Sequence, residues 1–215
     1  MKKSVVLIAG LLVCAFVLSA TDEPKFETFL GYNYVRFNPG SNNNIVPSFN
    51  ANGGSGQFVW NFNHWIGAAF EAGAVTNTSL LGGALDTTTV HYVAGPRFSW
   101  HKHSRWMPYG EALFGGGQSF ASAQISAIQV GGPIVTPLAA LPPGTPISAR
   151  VQLDSSSHFA MLVGGGLDVK LDKHIAFRPL GFDYYLTRLP NYFGDTSNKN
   201  NWRYMAGVNF LFGAK

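Results

Sequence analysis

Cysteine is almost missing from this sequence: Cys14 is the only one in 215 residues. A fold built without disulfides has to hold by packing, hydrogen bonding and charge pairing. Charge is scarce as well, at 12% of residues against the ~25% usual in soluble domains. No basic run occurs, which removes the case for a nucleic-acid partner. After residue 20, no segment approaches the ~18 consecutive apolar residues of a helical membrane span. What the chain does have is glycine (25 residues) and aromatic side chains (14%), spread along its whole length.

The first twenty residues read as a secretory leader. Lys2 and Lys3 form a positive n-region, residues 5–18 are apolar, and Ser19-Ala20 offers small residues before the polar Thr21-Asp22-Glu23-Pro24. The apolar run is shorter than the ~20 residues a spanning helix needs. Cys14 lies inside that run behind Val13, where a lipid-modified cysteine would follow a small residue, so a lipoprotein is not indicated. Cleavage after Ala20 leaves a mature chain of 195 residues, one domain, without cysteine. The 15 basic residues then fall to 13 against 11 acids, a net of +2.

Period-two alternation predicts eight strands at 25–37, 56–62, 65–75, 89–100, 107–120, 158–170, 174–187 and 201–212. The connections alternate in length. Those at 63–64, 101–106 and 171–173 are short, whereas 38–55, 76–88, 121–157 and 188–200 are long. Short turns at one end and long loops at the other are the pattern of an outer-membrane β-barrel, with the turns periplasmic and the loops extracellular. An even strand number puts both termini on the periplasmic side. The expected fold is all-β: an eight-stranded antiparallel up-and-down transmembrane barrel in a Gram-negative outer membrane.

Charge tests the assignment of faces. In the first strand Glu27 falls with Phe29, Gly31, Asn33 and Val35, opposite Phe26, Thr28, Leu30, Tyr32 and Tyr34. Glu71, Arg97 and Glu111 likewise fall with the small or polar set of their strands. A basic side chain facing lipid near the midplane would cost about 2–4 kcal/mol, so these residues are expected inside. The inward network is taken as Glu27, Glu71, Arg97, Glu111, Asp168, Lys170 and Arg178. A soluble lipocalin-like barrel would need that same interior to be apolar. Trp60, Trp65, Trp100 and Trp106 near the turns, and Trp202 near the loops, are expected to form aromatic girdles at the two interfaces. Two prolines strain the scheme, since Pro96 and Pro179 each remove a ladder donor in mid-strand. Arg178 and Asp183 also differ in parity. One β-bulge near Pro179-Leu180-Gly181 would repair that strand.

The last strand, from Tyr204 to Phe212, sets Tyr204, Ala206, Val208, Phe210 and Phe212 against Met205, Gly207, Asn209 and Leu211. Its Gly207, Phe210 and Phe212 resemble the C-terminal signal read by the bacterial barrel-assembly machinery, although Gly213-Ala214-Lys215 follow the final aromatic. With the stretches Gly164-Gly165-Gly166-Leu167-Asp168-Val169-Lys170, His174-Ile175-Ala176-Phe177-Arg178-Pro179 and Asp183-Tyr184-Tyr185-Leu186-Thr187-Arg188, the mature chain resembles the outer-membrane β-barrel domain family. That family includes the membrane domain of outer-membrane protein A and its short, porin-like relatives. The resemblance implies an eight-stranded barrel inserted by that machinery, with outer-membrane lipid as its surroundings. The sequence departs from outer-membrane protein A in one expectation: the peptidoglycan-binding domain that follows the barrel in that protein is expected to be absent.

Eight strands enclose a space that side chains can fill, so a packed ion-pair network is the expected lumen and a narrow channel for small solutes or ions the alternative. Enzymatic barrels of this size use Ser and His near the outer leaflet. Comparable residues here are His91 and Ser155-Ser156-Ser157-His158, with Asp154 nearby in a predicted loop, and His101-Lys102-His103-Ser104 on a turn. Nucleophilic catalysis needs a base held on the hydroxyl and an orienting carboxylate; that arrangement is not indicated, and no enzyme activity is expected. A metal needs three or four converging ligands, which His64, His101, His103 and His174 on separate turns do not suggest. No cofactor is expected. The triple glycines 115–117 and 164–166, with no helix after either, are expected to lie near each other across a hairpin. An extracellular ligand, if there is one, would meet the long loops.

Overall fold

The computed structural model describes residues 24–38, 48–80, 83, 85–101, 105–128, 146–188 and 199–213. The expected leader, residues 39–47 of the loop at 38–55, the centre of the loop at 121–157, most of that at 188–200 and residues 102–104 with His103 lie outside them. Among the described residues no helix is long and apolar enough to cross a membrane. Eight strands are present: β1 (Phe26–Phe37), β2 (Phe49–Asn61), β3 (Ile66–Leu80), β4 (Leu85–Ser99), β5 (Trp106–Ile128), β6 (Pro146–Lys170), β7 (Ile175–Thr187) and β8 (Lys199–Phe212). Each pairs antiparallel with the next, and β8 returns to β1 in a closed barrel, in register from Phe26↔Phe212 to Arg36↔Trp202. Closure leaves no sheet edge in the wall, and it satisfies the backbone without water.

Alternation sorts the side chains as their chemistry requires. In β3 Gly67, Ala69 and Glu71 are buried while Ala68, Phe70, Ala72 and Ala74 are exposed. The exposed set on the wall is aromatic and aliphatic: Leu30, Phe58, Phe70, Tyr92, Phe98, Phe114, Phe159 and Phe182 among others. Trp60, Trp65, Trp100 and Trp106 stand exposed at the turn end, and Trp202 at the loop end stacks on Phe182 at 5.3 Å. The tight β2–β3 turn is held by Asn63, whose Oδ1 accepts from the amides of Trp65 (3.0 Å) and Ile66 (2.9 Å), a side-chain imitation of a backbone turn.

The strands run further toward the loop end than alternation predicted. Residues 49–55 belong to β2, where Phe49 pairs with Phe37 and their rings stack at 5.1 Å. Their Asn-, Gly- and Ser-rich sequence carries no period-two signal, so pairing with β1 decides the conformation. The expected loop 121–157 is strand over much of its length. β5 and β6 pair out to Ile128↔Pro146, beyond the last β4 partner at Ala123 and the last β7 partner at Ala160. Asp154 thus sits in a strand, opposite Ala121.

A bulge lies where the parity conflict asked for one. Arg178 pairs with Gly207 but Gly181 with Met205, so β7 carries one residue more than β8, and Arg178 and Asp183 both face inward. Tyr204 donates from its hydroxyl to the Pro179 carbonyl at 2.7 Å, across the irregular step. Pro96 is accommodated differently: the β4–β5 ladder skips Gly95 and Pro96 between Ala94↔Phe114 and Arg97↔Glu111 without a change of register. The triple glycines are not neighbours, which corrects the sequence expectation. Gly115–Gly117 face Phe159 and its flanking residues, whereas Gly164–Gly166 face Tyr109, Gly110 and Glu111. The long β5–β6 hairpin sets a register that offsets the two runs along the strands.

The seam that closes the barrel depends on two glycines. Gly31 and Gly207 lie opposite each other, and the Phe29 ring covers both. A Cβ on Gly207 would come 2.3 Å from the Leu30 carbonyl oxygen and 2.9 Å from Phe29 Cε2. Unboiled protein in detergent is expected to migrate faster than boiled protein, as a closed barrel does. Gly207→Val should abolish most of the fast band, and its full retention would show that the seam tolerates a branched side chain.

Candidate functional site

The candidate site is the lumen, where alternation delivers every inward charge to a space that eight strands cannot widen. At the turn end, Glu27 of β1 accepts from Asn61 Nδ2 (2.8 Å), Asn209 Nδ2 (2.7 Å) and His101 Nε2 (2.9 Å). Asn61 also donates to the Pro24 carbonyl at 2.9 Å. At mid-height Asp168 is gripped by Arg178 through Nε (2.6 Å) and Nη2 (3.0 Å), and by Arg97 Nη2 at 3.1 Å. Arg97 gives Nη1 to Gln57 Oε1 at 2.6 Å, and Gln57 Nε2 donates to Glu111 Oε2 (2.9 Å) and Glu71 Oε2 (3.2 Å). Glu111 lies 3.7 Å from Arg97. Above this, Arg203 of β8 bridges Glu71 and Asp183, reaching the latter at 2.7 Å, and His91 Nε2 is 3.0 Å from Glu71 Oε1.

Aromatic faces complete the stack. The Arg178 guanidinium lies 4.0 Å from the Phe29 ring centroid and 4.2 Å from that of Tyr109, and Arg97 lies 3.9 Å from Tyr109. The order Phe29, Arg178, Tyr109, Arg97 therefore places Arg178 between two rings and Arg97 over the Tyr109 ring, whose faces attract cations. Phe29 reaches this position because Gly31 and Gly207 leave the wall bare beneath it. Toward the loop end Val35, Phe37, Ala51, Val75 and Tyr185 form an apolar layer with Phe49. At the turn end Met107, Ala176 and Leu211 form a smaller one.

Of the residues named from sequence, Glu27, Glu71, Arg97, Glu111, Asp168 and Arg178 are all buried in this cluster. Lys170 is half-buried at the turn end, and among the described residues it joins none of these ion pairs. Arg203, Gln57, His91 and His101 were absent from the sequence-based set. Parity could have found Arg203, which alternates in step with Met205 and Asn209 on the inward side of β8. Nothing in the spacing marked His101, because its partner Glu27 is 74 residues away.

Ser157 is exposed on the wall whereas the next residue, His158, is buried on the opposite face. His91 is engaged with Glu71, and the buried Ser119 hydroxyl lies 3.1 Å from that of Thr89. Among the described residues no group of three potential ligands could hold a metal. Gly207 lies on the seam, and Phe210 and Phe212 are half-buried on the outer face of β8, opposite Thr28 and Phe26.

Removing one partner of a buried ion pair costs about 3–5 kcal/mol, because the other charge is stranded. Arg203→Met strands Glu71 and Asp183 and should lower the urea midpoint of the micelle-refolded barrel accordingly. Lys170→Met should change stability by no more than about 0.5 kcal/mol, as surface substitutions do. Equal effects of the two would contradict the separation drawn here.

No protein-family model and no curated protein sequence matches this chain. Solved structures do. The attachment invasion locus protein Ail of Yersinia pestis is 15% identical with a TM-score of 0.52, over 88% of this chain and 99% of that one. Neisserial surface protein A, NspA, is 14% identical with a TM-score of 0.57, over 87% and 97%. The chain has the fold of the eight-stranded outer-membrane β-barrels.

Proposed function

We propose that this protein is an integral outer-membrane barrel with a closed lumen, and that its role is structural or lies in contacts made at the cell surface. One observation carries the reading. The side chains of Glu27, Glu71, Arg97, Glu111, Asp168, Arg178 and Arg203 are at most 1% exposed. A path for hydrated ions would leave water on some of them. The ion pairs instead complete one another, and the apolar layer around Phe37 and Tyr185 lies between them and the loop end. With the interior filled, what remains to interact is the lipid-facing wall and the two ends.

The loop end is the candidate surface for an extracellular ligand, because the β5–β6 ladder projects past the other strands there. Termini and short turns would then be periplasmic. The tryptophans at both ends support a bilayer around the wall, and the outward aromatic residues of β8 support assembly by the outer-membrane machinery.

Purified protein in planar lipid bilayers is expected to give no steady single-channel conductance at neutral pH, even at high protein load. A steady conductance changed by Arg97→Ala would replace the closed barrel with a narrow pore. Orientation is tested separately, using the expected absence of cysteine from the mature chain. On intact cells a membrane-impermeant maleimide should label Gly131→Cys and leave Lys173→Cys unlabelled; the reverse pattern would turn the barrel over.

A further inference from the structure

We infer that His101 is a cationic latch on the turn-end mouth of the lumen, a doubly protonated imidazole that joins three parts of the barrel and lets go of one when it loses a proton. This rests on the reading of the lumen as a filled interior. Both ring nitrogens of His101 have oxygen partners: Nε2 lies 2.9 Å from Glu27 Oε1, and Nδ1 lies 3.2 Å from the His64 carbonyl oxygen. A carbonyl oxygen only accepts. Glu27 accepts too, since its other neighbours, Asn61 Nδ2, Asn209 Nδ2 and the Arg97 guanidinium at 3.5 Å, all donate. A neutral imidazole has one N–H and can serve only one of the two acceptors. The geometry is satisfied on both sides only by the imidazolium.

Position gives the contact its consequence. His101 follows β4 in the β4–β5 turn, His64 is in the β2–β3 turn, and Glu27 opens β1, so one side chain ties two turns to the inside of the wall. The His101 side chain is 3% exposed. Among the described residues of the central cluster, Glu27, Glu71, Glu111, Asp168 and Asp183 outnumber Arg97, Arg178 and Arg203 by two, and the imidazoles set against them are His101 on Glu27 and His91 on Glu71. The charged groups that act on His101 are Glu27, which favours the imidazolium, and Arg97, which opposes it. Burial also opposes the charge, but the hydrogen bond and charge of Glu27 outweigh it and hold the imidazole above its ordinary value of 6.5.

The sign follows from linkage. A group whose pKa is higher in the folded state stabilises the fold fully below its unfolded pKa, and that stabilisation is lost as pH rises through the folded value. Acid therefore locks the turn end and alkali loosens it. Above about pH 6.5 the folded-to-unfolded ratio attributable to His101 should fall about tenfold per pH unit until the folded imidazole has titrated.

The test is a ¹⁵N-NMR titration of the imidazole nitrogens in the refolded barrel, with urea unfolding of wild type and His101→Gln from about pH 5 to about pH 10. Both His101 nitrogens should be protonated at neutral pH and titrate only on the alkaline side. The stability difference between wild type and variant should be greatest in acid and vanish in alkali. A neutral ring at pH 7, or a difference independent of pH, would overturn the latch. If His101→Gln does not fold, the wild-type titration decides alone. Conductance at neutral pH combined with an imidazolium would count against the closed lumen and leave the protonation state standing.

Discussion

A carboxylate enclosed by a protein wall and surrounded by lipid has no water to fall back on, so it must find cations and donors inside the same barrel. Most of this structure can be traced to that requirement. Among the described residues five carboxylates form the central cluster, and each sits where a side chain from a different strand can reach it: Asp168 of β6 between Arg97 of β4 and Arg178 of β7, and Glu71 of β3 against Arg203 of β8. The pairs cross the lumen rather than running along one strand. Arg178–Asp168 and Arg203–Asp183 link neighbouring strands, whereas Arg97–Asp168 and Arg203–Glu71 tie together strands that the hydrogen-bond ladder does not pair and depend on closure for their partners.

The same requirement accounts for the irregular places in the wall around Arg178, though not for the register shifts at Asn77/Leu80 and Ala121/Ser122. β7 could not present both Arg178 and Asp183 to the interior as a regular strand, and the bulge at Pro179-Leu180-Gly181 supplies the extra residue that restores both. Gly31 and Gly207 form a bare patch on the β1–β8 seam so that Phe29 can lie flat and offer its face to Arg178. The proline at 179 costs a ladder bond, and Tyr204 supplies a hydroxyl to the carbonyl at that step. These departures from ideal sheet geometry position charged groups, which is why they gather around Arg178.

Much of the barrel was legible from parity. Strand number, inward and outward faces, the bulge and six members of the charge cluster all follow from a period of two combined with the cost of charge in lipid. Strand ends were not legible at 49–55, where Asn, Gly and Ser carry little hydrophobic alternation and pairing with a neighbour decides the conformation; at 146–157 Ile147, Ala149, Val151 and Leu153 do alternate with Ser148, Arg150 and Gln152, a signal masked by the Pro- and Gly-rich stretch before it. The triple glycines lie apart because register along a long hairpin is set by the pairing of every residue in it, not by the likeness of two runs. Lys170 shares the parity of Asp168, yet it lies at the turn end, where its side chain is only half-buried.

By itself the sequence determined which face of each strand meets lipid, because a side-chain period of two and the cost of exposing charge to hydrocarbon leave one assignment. Only the tertiary structure decided which charges meet. Arg203 and Glu71 are 132 residues apart, and His101 and Glu27 are 74 apart. Their heights in the lumen depend on the accumulated stagger of eight strands around a closed wall, a global quantity that no local pattern of residues records.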